Sequence, residues 1–269
     1  MFKTVERPFI IESMAYPLVQ YFTNSYAFDG ESHNFIELVY IQNGKAEVSE
    51  NGKVYLLGDG NLIVHAPMEF HRIKSADGTE PTVYNLSLVI KGDVPEALYD
   101  GVFELESDER KEYMSIFNSA SQFVMYGDST ALDGQQAASQ LEWFIIDICQ
   151  KNRKIDSLSS DAGALMYNKL VRTMKEHLYD NISLSELAAS SYISVSYVKA
   201  LFSRYAGTAP GNYFAKLRLN EAVQLIDKGI PIAQVSEMMN FSSPNYFSLF
   251  FKKQTGKTPT QYRKYAEKG

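Results

Sequence analysis

The spacing of hydrophobic residues changes from a strand-like to a helix-like pattern part of the way along the chain. Between residues 35 and 90, short segments rich in β-branched and aromatic side chains alternate with turn residues, and Asn51-Gly52 separates two of them as a tight hairpin turn would. Residues 108–126, residues 131–150 and most of the sequence after residue 164 instead repeat apolar side chains every three or four positions. The pattern predicts an α+β multidomain protein, with an antiparallel β-barrel and following helices, then an all-α domain.

Composition predicts where these parts meet. Residues 152–161 are polar and rich in serine, as linkers are. We therefore predict a β-barrel at 1–100, a helical segment at 101–152, a linker at 153–163 and a helical domain at 164–269. The helical segment has an excess of apolar residues, which fits either a homodimer surface or simple packing on the barrel, and the pattern leaves both interpretations open.

Two copies of one pattern lie in the predicted helical domain. The first spans residues 187–213 and the second spans 235–262, with an offset of 48 up to Ser194/Ser242 and of 49 from Tyr197/Tyr246 onward. A repeat of this kind indicates a duplicated supersecondary unit. Each copy is typical of a helix-turn-helix motif, and two such motifs in tandem favour DNA binding.

Local signals place the ends of the helices in each copy. Ser183 and Glu186 have the spacing of a capping box, and Ser194 and Ser243 are expected to cap the second helix of each motif. Gly207 and Gly256 are expected to end those helices in the left-handed conformation. The apolar stripes that follow predict the buried faces: Val198, Leu201, Phe202 and Tyr205 in the first copy, and Phe247, Phe250 and Phe251 in the second.

Charge separates the two parts of the chain. The net charge of the whole sequence is −6, but residues 164–269 sum to +7 and the remainder sums to −13. This asymmetry fits a nucleic-acid-binding part joined to one that does not bind nucleic acid. The single cysteine, Cys149, excludes an internal disulfide and fits a reducing cytoplasm. We expect neither a secretory signal nor a membrane span.

Residues from about 165 to 265 resemble the DNA-binding domain of the AraC family of bacterial transcription regulators. The similarity is most specific in residues 232–262, which contain Phe241-Ser242-Ser243-Pro244-Asn245-Tyr246-Phe247. The resemblance implies seven helices, with two recognition helices entering successive faces of the major groove about one helical turn (~34 Å) apart. The sequence departs from the family at Tyr192, where the turn often has glycine, and at Ser191, where an apolar residue is frequent.

The resemblance also implies which side chains contact DNA. The outward stripe of each second helix is expected to face the major groove, with Asn245 reading adenine and Lys199 donating to guanine. Arg204, Lys252 and Lys253 are expected to contact phosphates. The complete outward stripes are Ser196, Lys199, Ala200 and Ser203 in the first copy, and Asn245, Ser248, Leu249 and Lys252 in the second.

The first part of the chain resembles the cupin-like sensor domain that AraC-family proteins often carry. The similarity rests on the order His33, Glu37, Gly44, then Gly58-Asp59-Gly60, then Pro67 and His71. In metal-binding cupins three of these positions, with one further histidine, hold a divalent ion, but here Glu31 replaces that histidine. We expect no metal or cofactor.

The resemblance to regulatory relatives implies contact with an organic effector. The side chains expected to bind the effector are His33, Glu37, His71 and Tyr40. A purely structural role of these polar groups and metal binding by two histidines and a carboxylate are the alternatives left open. His65 is predicted to lie in a loop.

Together these patterns predict a cytoplasmic, non-enzymatic transcription activator that binds double-stranded DNA and a small-molecule effector. Carbohydrates are one candidate class of effector. RNA polymerase is an expected partner, and a homodimer is an expected assembly. Two other interpretations remain: a metal-dependent cupin enzyme with an accessory DNA-binding domain, and a regulator that binds DNA without a ligand.

Overall fold

The computed structural model describes residues 3–50, 52–99, 101–155 and 158–266. The chain divides into two compact units. The first contains residues 1–50 and 54–159, and the second contains residues 51–53 and 160–269. Within the described residues, the first unit holds the β-sheets and two long helices, and the second is helical. This arrangement confirms the predicted α+β multidomain class.

The strands of the first unit form two sheets. A six-stranded sheet has the order β1-β7-β2-β5-β8-β9, and a three-stranded sheet has the order β4-β3-β6. The strands are β1 (Phe9–Tyr21), β2 (Ile36–Asn43), β3 (Ala46–Glu50), β4 (Lys53–Leu57), β5 (Asn61–His65), β6 (His71–Ser75), β7 (Thr82–Gly92), β8 (Val102–Glu104) and β9 (Lys154–Ile155).

The six-stranded sheet is covered on both faces. Val39, Ile41 and Ile63 pack with Val48 and Leu57 of the smaller sheet, so the two sheets share one apolar core. The opposite face of the larger sheet packs against two helices, α1 (Ser107–Met125) and α2 (Ala131–Lys151). Because neighbouring residues of a strand point to opposite faces, β2 sends its side chains alternately into these two cores. This explains why Ile36 to Ile41 are buried without interruption.

The two helices of the first unit begin and end at recognisable caps. Thr130 and Asp133 form a reciprocal capping box at the start of α2, and Asn152 ends that helix with a positive φ of 48°. Near the start of α1, the buried carboxylate of Glu109 accepts a hydrogen bond from Lys151 at 3.0 Å and another from Arg153. These two ion pairs join the beginning of α1 to the end of α2 and the residues that follow it.

The sequence did not indicate four of the strands. β1 has register shifts between Ile11 and Ser13 and between Ala15 and Leu18, so its burial does not follow a simple alternation. β6 is largely polar, and β8 and β9 are only three and two residues long. β9 lies within the segment predicted as a linker, where residues 156 and 157 fall outside the described residues and α3 begins at Ala162.

The described part of the second unit contains seven helices, as the resemblance implied. Tyr167, Phe202 and Tyr213 contact one another at ring-centroid distances of 5.1–6.2 Å and fill the core of the first motif. Phe247 and Phe251 fill that of the second. The helices are α3 (Ala162–Glu176), α4 (Leu184–Ser190), α5 (Val195–Ala206), α6 (Pro210–Asp227), α7 (Ile232–Met238), α8 (Pro244–Thr255) and α9 (Pro259–Ala266).

The predicted caps of this unit are present. The hydroxyls of Ser183, Ser194 and Ser243 each accept a hydrogen bond from the backbone N–H three residues later. Gly207 and Gly256 end α5 and α8 in the left-handed region. In the described part of the chain, no helix combines the length and apolarity needed to cross a bilayer.

The turn of each helix-turn-helix motif is a Schellman motif. In the first, the N–H of Ile193 donates to the carbonyl of Ala188, and in the second the N–H of Phe241 donates to that of Ser236. The residue before each donor has positive φ, 56° at Tyr192 and 52° at Asn240. Asparagine tolerates this conformation, whereas for a tyrosine it costs ~1–2 kcal/mol. Tyr192 is 95% exposed, so burial of its ring does not offset that cost.

We therefore predict that Tyr192→Gly raises the free energy of unfolding of the second unit by ~0.5–1 kcal/mol, because glycine removes the left-handed penalty but adds entropy to the unfolded chain. Asn240→Gly is the matched control, with a change near zero expected. Urea unfolding of the full chain, followed by far-ultraviolet circular dichroism, measures both. A loss of stability in Tyr192→Gly comparable to the expected gain would contradict this account of the turn.

Candidate functional sites

The side chains predicted to contact DNA lie on the outer faces of α5 and α8. The inner faces are buried: Val198, Leu201, Phe202 and Tyr205 in α5 and Phe247 and Phe251 in α8, with Phe250 only half-buried. We call the outer faces the recognition faces. On α5 the face comprises Ser196, Lys199, Ala200, Ser203 and Arg204, all exposed. On α8 it comprises Asn245, Leu249, Lys252 and Lys253, which are exposed, and Ser248, which is half-buried.

Two recognition-face residues have properties that the sequence did not indicate. Arg204 lies 3.6 Å from the carboxylate of Asp161 and over the ring of Tyr205 at 5.0 Å, so the phosphate role predicted for it competes with an intramolecular ion pair. Leu249 is 67% exposed although it is apolar. Two tyrosines at equivalent positions of the repeat, Tyr197 and Tyr246, are also exposed beside these faces. The sequence repeat showed that these two positions are equivalent, but only the structure shows that both side chains are exposed.

Arg218, in the helix between the motifs, contacts both of them. Its Nη1 donates to Oδ1 of Asn181 at 2.6 Å, shortly before α4, and its Nη2 donates to the carbonyl of Met239 after α7. The guanidinium also lies 4.4 Å from the centre of the Phe241 ring. Burial lowers the pKa of Arg218, which nevertheless keeps its charge. The burial of Arg218 could be inferred from the sequence, because Arg218 lies four residues after the apolar Phe214 in α6.

We predict that Arg218→Met destabilises the second unit by about 2–3 kcal/mol, because it leaves the Asn181 amide and the Met239 carbonyl without their donor. DNA affinity should fall by more than the stability loss alone explains, since both motifs lose a shared anchor. Arg172→Met, at an exposed position of α3, is the matched control and should change neither property. Urea unfolding and fluorescence anisotropy with labelled DNA measure the two effects. Equal DNA affinity of the folded Arg218→Met protein and the wild type would exclude a role for Arg218 in orienting the motifs.

A second group of polar residues lies between the sheets of the first unit. Glu37 of β2 pairs in register with His65 of β5, and Glu50 of β3 pairs in register with His71 of β6. The first pair belongs to the six-stranded sheet and the second to the three-stranded sheet. These four buried residues and the half-buried His33 form what we call the histidine cluster.

Specific contacts hold the members of the histidine cluster together. Nε2 of His71 lies 3.2 Å from Oε2 of Glu37, and Nε2 of His33 lies 3.7 Å from the same oxygen. Nδ1 of His65 is hydrogen-bonded to Oε2 of Glu50. The rings of His65 and His71 stack at 4.0 Å.

The environment of the histidine cluster shifts its pKa values in opposite directions. Burial lowers the pKa of His65 and of His71, which favours their neutral forms. Burial acts in the same direction on His33, but the hydrogen bond to Glu37 and the charge of that carboxylate outweigh it and raise the pKa of His33. Burial alone would raise the pKa of Glu37, yet the hydrogen bonds with His33 and His71 hold it well below its usual range. Glu37 is therefore a buried carboxylate that remains ionised.

The structure brings together three of the four predicted effector-binding residues: His33, Glu37 and His71. It does not bring Tyr40 to them, because Tyr40 points to the opposite face of β2 and packs against Tyr113 at 5.1 Å, with 3% of its surface exposed. The prediction that His65 lies in a loop is wrong. His65 ends β5 and is fully buried.

The neighbouring Ala66-Pro67 suggested a loop at His65, and the register that brings His65 opposite Glu37 has no local signal in the sequence. Glu50 was missed for the same reason. Glu31, noted in place of a cupin histidine, is exposed, and its carboxylate lies within 4.8 Å of ligand atoms of His33 and His71.

A β-rich unit followed by two helix-turn-helix motifs with exposed outer faces defines a class of DNA-binding regulators. Comparison with known families identifies both parts. The AraC-like ligand binding domain matches residues 19–166, and a helix-turn-helix domain family matches residues 187–265. Because the first match covers more than half of the chain, the protein belongs to the AraC family of transcription regulators, which confirms the resemblance seen in the sequence.

Individual relatives are similar in sequence to parts or most of this chain. The chain is 26% identical over 235 residues to the probable transcriptional regulator LumQ of Photobacterium leiognathi, a match that covers 86% of this chain and 90% of LumQ. It is 30% identical over 108 residues to the MmsAB operon regulatory protein of Pseudomonas aeruginosa, covering 40% of this chain and 35% of that protein.

Solved structures are also similar. ToxT from Vibrio cholerae, in a form bound to an unsaturated fatty acid, matches with 16% identity, 97% coverage of both chains and a TM-score of 0.38. An AraC-type regulator from Chromobacterium violaceum matches with 30% identity, 38% coverage of this chain, 94% coverage of that chain and a TM-score of 0.35.

Proposed function

We propose that this protein is a bacterial transcription activator that binds a specific DNA sequence through α5 and α8 and changes its DNA affinity when a small molecule binds the first unit. The observation that carries the proposal is the division of α5 and α8 into a buried apolar face and an exposed polar face. It occurs twice at equivalent positions, as expected when two helices enter the major groove.

The residues on the recognition faces suit different parts of DNA. Asn245 has the amide donor and acceptor that pair with adenine, Lys199 is a donor for guanine, and the exposed Leu249 fits the methyl group of thymine. Ser196, Ala200, Ser203 and Ser248 are small side chains that permit close approach of the helices. Arg204, Lys252 and Lys253 supply positive charge for phosphates. The excess of +7 in residues 164–269 supports the same role.

A cavity lined in part by Asn34 and Phe35, next to His33 in the sequence, is a candidate site for an organic effector. It has a volume of about 540 Å³, within the usual range for small-molecule sites. Its wall includes Phe35, Pro67, Leu88 and Tyr99, which would enclose an apolar body, and Glu96, which would accept hydrogen bonds. An effector that binds one conformation more tightly shifts the population toward it and so changes DNA affinity.

The outer face of α2 is the candidate homodimer surface. Leu132, Trp143 and Ile146 of this helix are exposed apolar side chains, while Leu141, Phe144 and Ile145 pack inward on α1 and the sheet. Exposed apolar side chains on a helix whose opposite face is already packed favour an interaction surface. In this proposal the dimer acts on DNA in the cytoplasm and contacts RNA polymerase there.

DNA binding by the full chain tests the proposal directly. Fluorescence anisotropy should show binding to the DNA upstream of the protein's own gene that is at least ~10³-fold tighter than binding to a random duplex. The logarithm of the affinity should fall linearly with the logarithm of the salt concentration. Equal, salt-insensitive affinity for both duplexes, with and without candidate effectors, would overturn the assignment.

Substitutions on α8 should separate base reading from phosphate contact. Asn245→Ala is expected to cost about 1–3 kcal/mol at a single base pair and to relax specificity there, because the paired hydrogen bonds to adenine are lost. Lys253→Ala should weaken binding to all sequences about equally and reduce the salt slope by about 1. Lys228→Ala, which removes an exposed lysine after α6, is the control and should leave both quantities unchanged. Uniform weakening by Asn245→Ala would contradict its proposed role as a base reader.

A further inference from the structure

The histidine cluster gathers imidazole nitrogens and carboxylate oxygens around one point. We propose that Glu37, His65 and His71 bind one divalent transition-metal ion, and that this ion is an effector of the regulator. The metal site stands on the geometry of the first unit alone. Only the second step, the effect of the ion on DNA binding, rests on the proposed function.

The hydrogen bonds of the imidazole rings fix which nitrogen atoms are available to a metal. Nδ1 of His71 lies 3.1 Å from the carbonyl oxygen of Glu69, and Nδ1 of His33 lies 2.9 Å from that of Phe35. A carbonyl oxygen only accepts, so both Nδ1 atoms must donate. Nε2 is therefore the atom of each ring that can bind a metal once it has released its proton, and both Nε2 atoms face Oε2 of Glu37.

His65 is held in the same way by a carboxylate. Its Nδ1 is hydrogen-bonded to Glu50, which leaves Nε2 as its available ligand atom. Carboxylate–histidine–metal arrangements of this kind orient the ring and raise the basicity of the ligating nitrogen. Glu37 is oriented as well, because Nδ2 of Asn85 donates to its Oε1 at 3.1 Å, while its Oε2 faces the histidines. Each proposed ligand therefore has a supporting partner.

The separations fit a metal ion. Ligand atoms of Glu37, His65 and His71 all lie within 4.8 Å of one another, and all three residues are buried. Two tetrahedral ligands at ~2.1 Å from zinc are ~3.4 Å apart. The 3.2 Å from Nε2 of His71 to Oε2 of Glu37 is close to that value, and so is the 3.7 Å from Nε2 of His33 to the same oxygen. His33, whose Nε2 faces the same carboxylate oxygen, is the candidate fourth ligand.

Charge explains why a cation suits this position. Among the described residues, the ion pairs of Glu37 are made with histidines and not with lysine or arginine. Nε2 of His71 and Nε2 of His33 converge on Oε2 of this buried carboxylate, at 3.2 Å and 3.7 Å. A divalent ion would replace the protons between these atoms and take them as its ligands. Two or three imidazoles with one carboxylate are typical ligands of zinc(II) and iron(II).

Zinc binding to the full-length protein tests the site. After treatment with a chelator, calorimetric titration should show one zinc ion bound per chain, with a rise in melting temperature that a second round of chelator reverses. Cobalt(II), used in place of zinc, should give the visible absorption of a four-coordinate ion. Glu37→Gln and His65→Ala should each weaken zinc binding at least tenfold. His177→Ala, which removes a histidine outside the cluster, is the control and should bind zinc as the wild type does.

Substitution of a residue that orients a ligand, but is not itself a ligand, distinguishes a metal site from a structural hydrogen-bond network. Asn85→Ala leaves all three ligands in place but frees the Glu37 carboxylate to rotate, so zinc affinity should fall ~10- to 100-fold. Stability of the chelator-treated variant, measured by thermal melting, should change little by comparison. If the ligand variants do not fold, as judged by circular dichroism, the Asn85→Ala result and the cobalt spectrum of the wild type still decide the question.

The possible outcomes separate this inference from the proposed function. Absence of stoichiometric zinc binding in the wild type, or wild-type affinity in a folded His65→Ala protein, overturns the metal site, while sequence-specific DNA binding would still stand. Zinc binding that leaves DNA affinity unchanged within twofold keeps the site and overturns its role as an effector site. A change in DNA affinity with zinc that is lost in Glu37→Gln but retained in His177→Ala supports both steps.

Discussion

Coverage of the six-stranded sheet on both faces is the constraint on which the first unit depends. A strand between two apolar cores has no solvent-facing side, so each polar residue on it must find a partner inside the protein. Glu37 meets this condition with Asn85, His33 and His71. The desolvation cost of one carboxylate thus determines the identity and orientation of several surrounding side chains, and it explains why polar groups accumulate at this place between the sheets.

The second unit was more predictable than the first because its signals are local. Ser183 with Glu186, Ser194 and Gly207 act within one helical turn of their own positions, and the structure places all of them as expected. The histidine cluster depends instead on register between strands that are distant in sequence. Nothing near His65 indicates that it pairs with Glu37, and Pro67 nearby favoured a loop. Arg218 was predictable in part. The helical spacing of apolar residues around it indicated its burial, but nothing in the sequence indicated its two hydrogen-bond partners.

Contacts of two kinds give the second unit its internal order. Each helix-turn-helix motif has its own aromatic core, around Phe202 in one and around Phe247 and Phe251 in the other. A nonpolar core tolerates small rotations, because dispersion contacts have little directional preference. Arg218 adds directional hydrogen bonds to both motifs from a single helix. The aromatic cores therefore stabilise each motif, and we infer that the guanidinium also restricts the angle between the two motifs.

Trp143 is the single tryptophan of the chain, and its side chain lies on α2 of the first unit with 53% of its surface exposed. Indole emission moves to shorter wavelength when water around the ring is replaced by protein. The chain thus carries a natural optical reporter at the outer face of α2, while the 18 tyrosines are distributed over both units. Fluorescence excited selectively in the indole therefore reports on this face of α2. It needs no added label and has no contribution from the second unit.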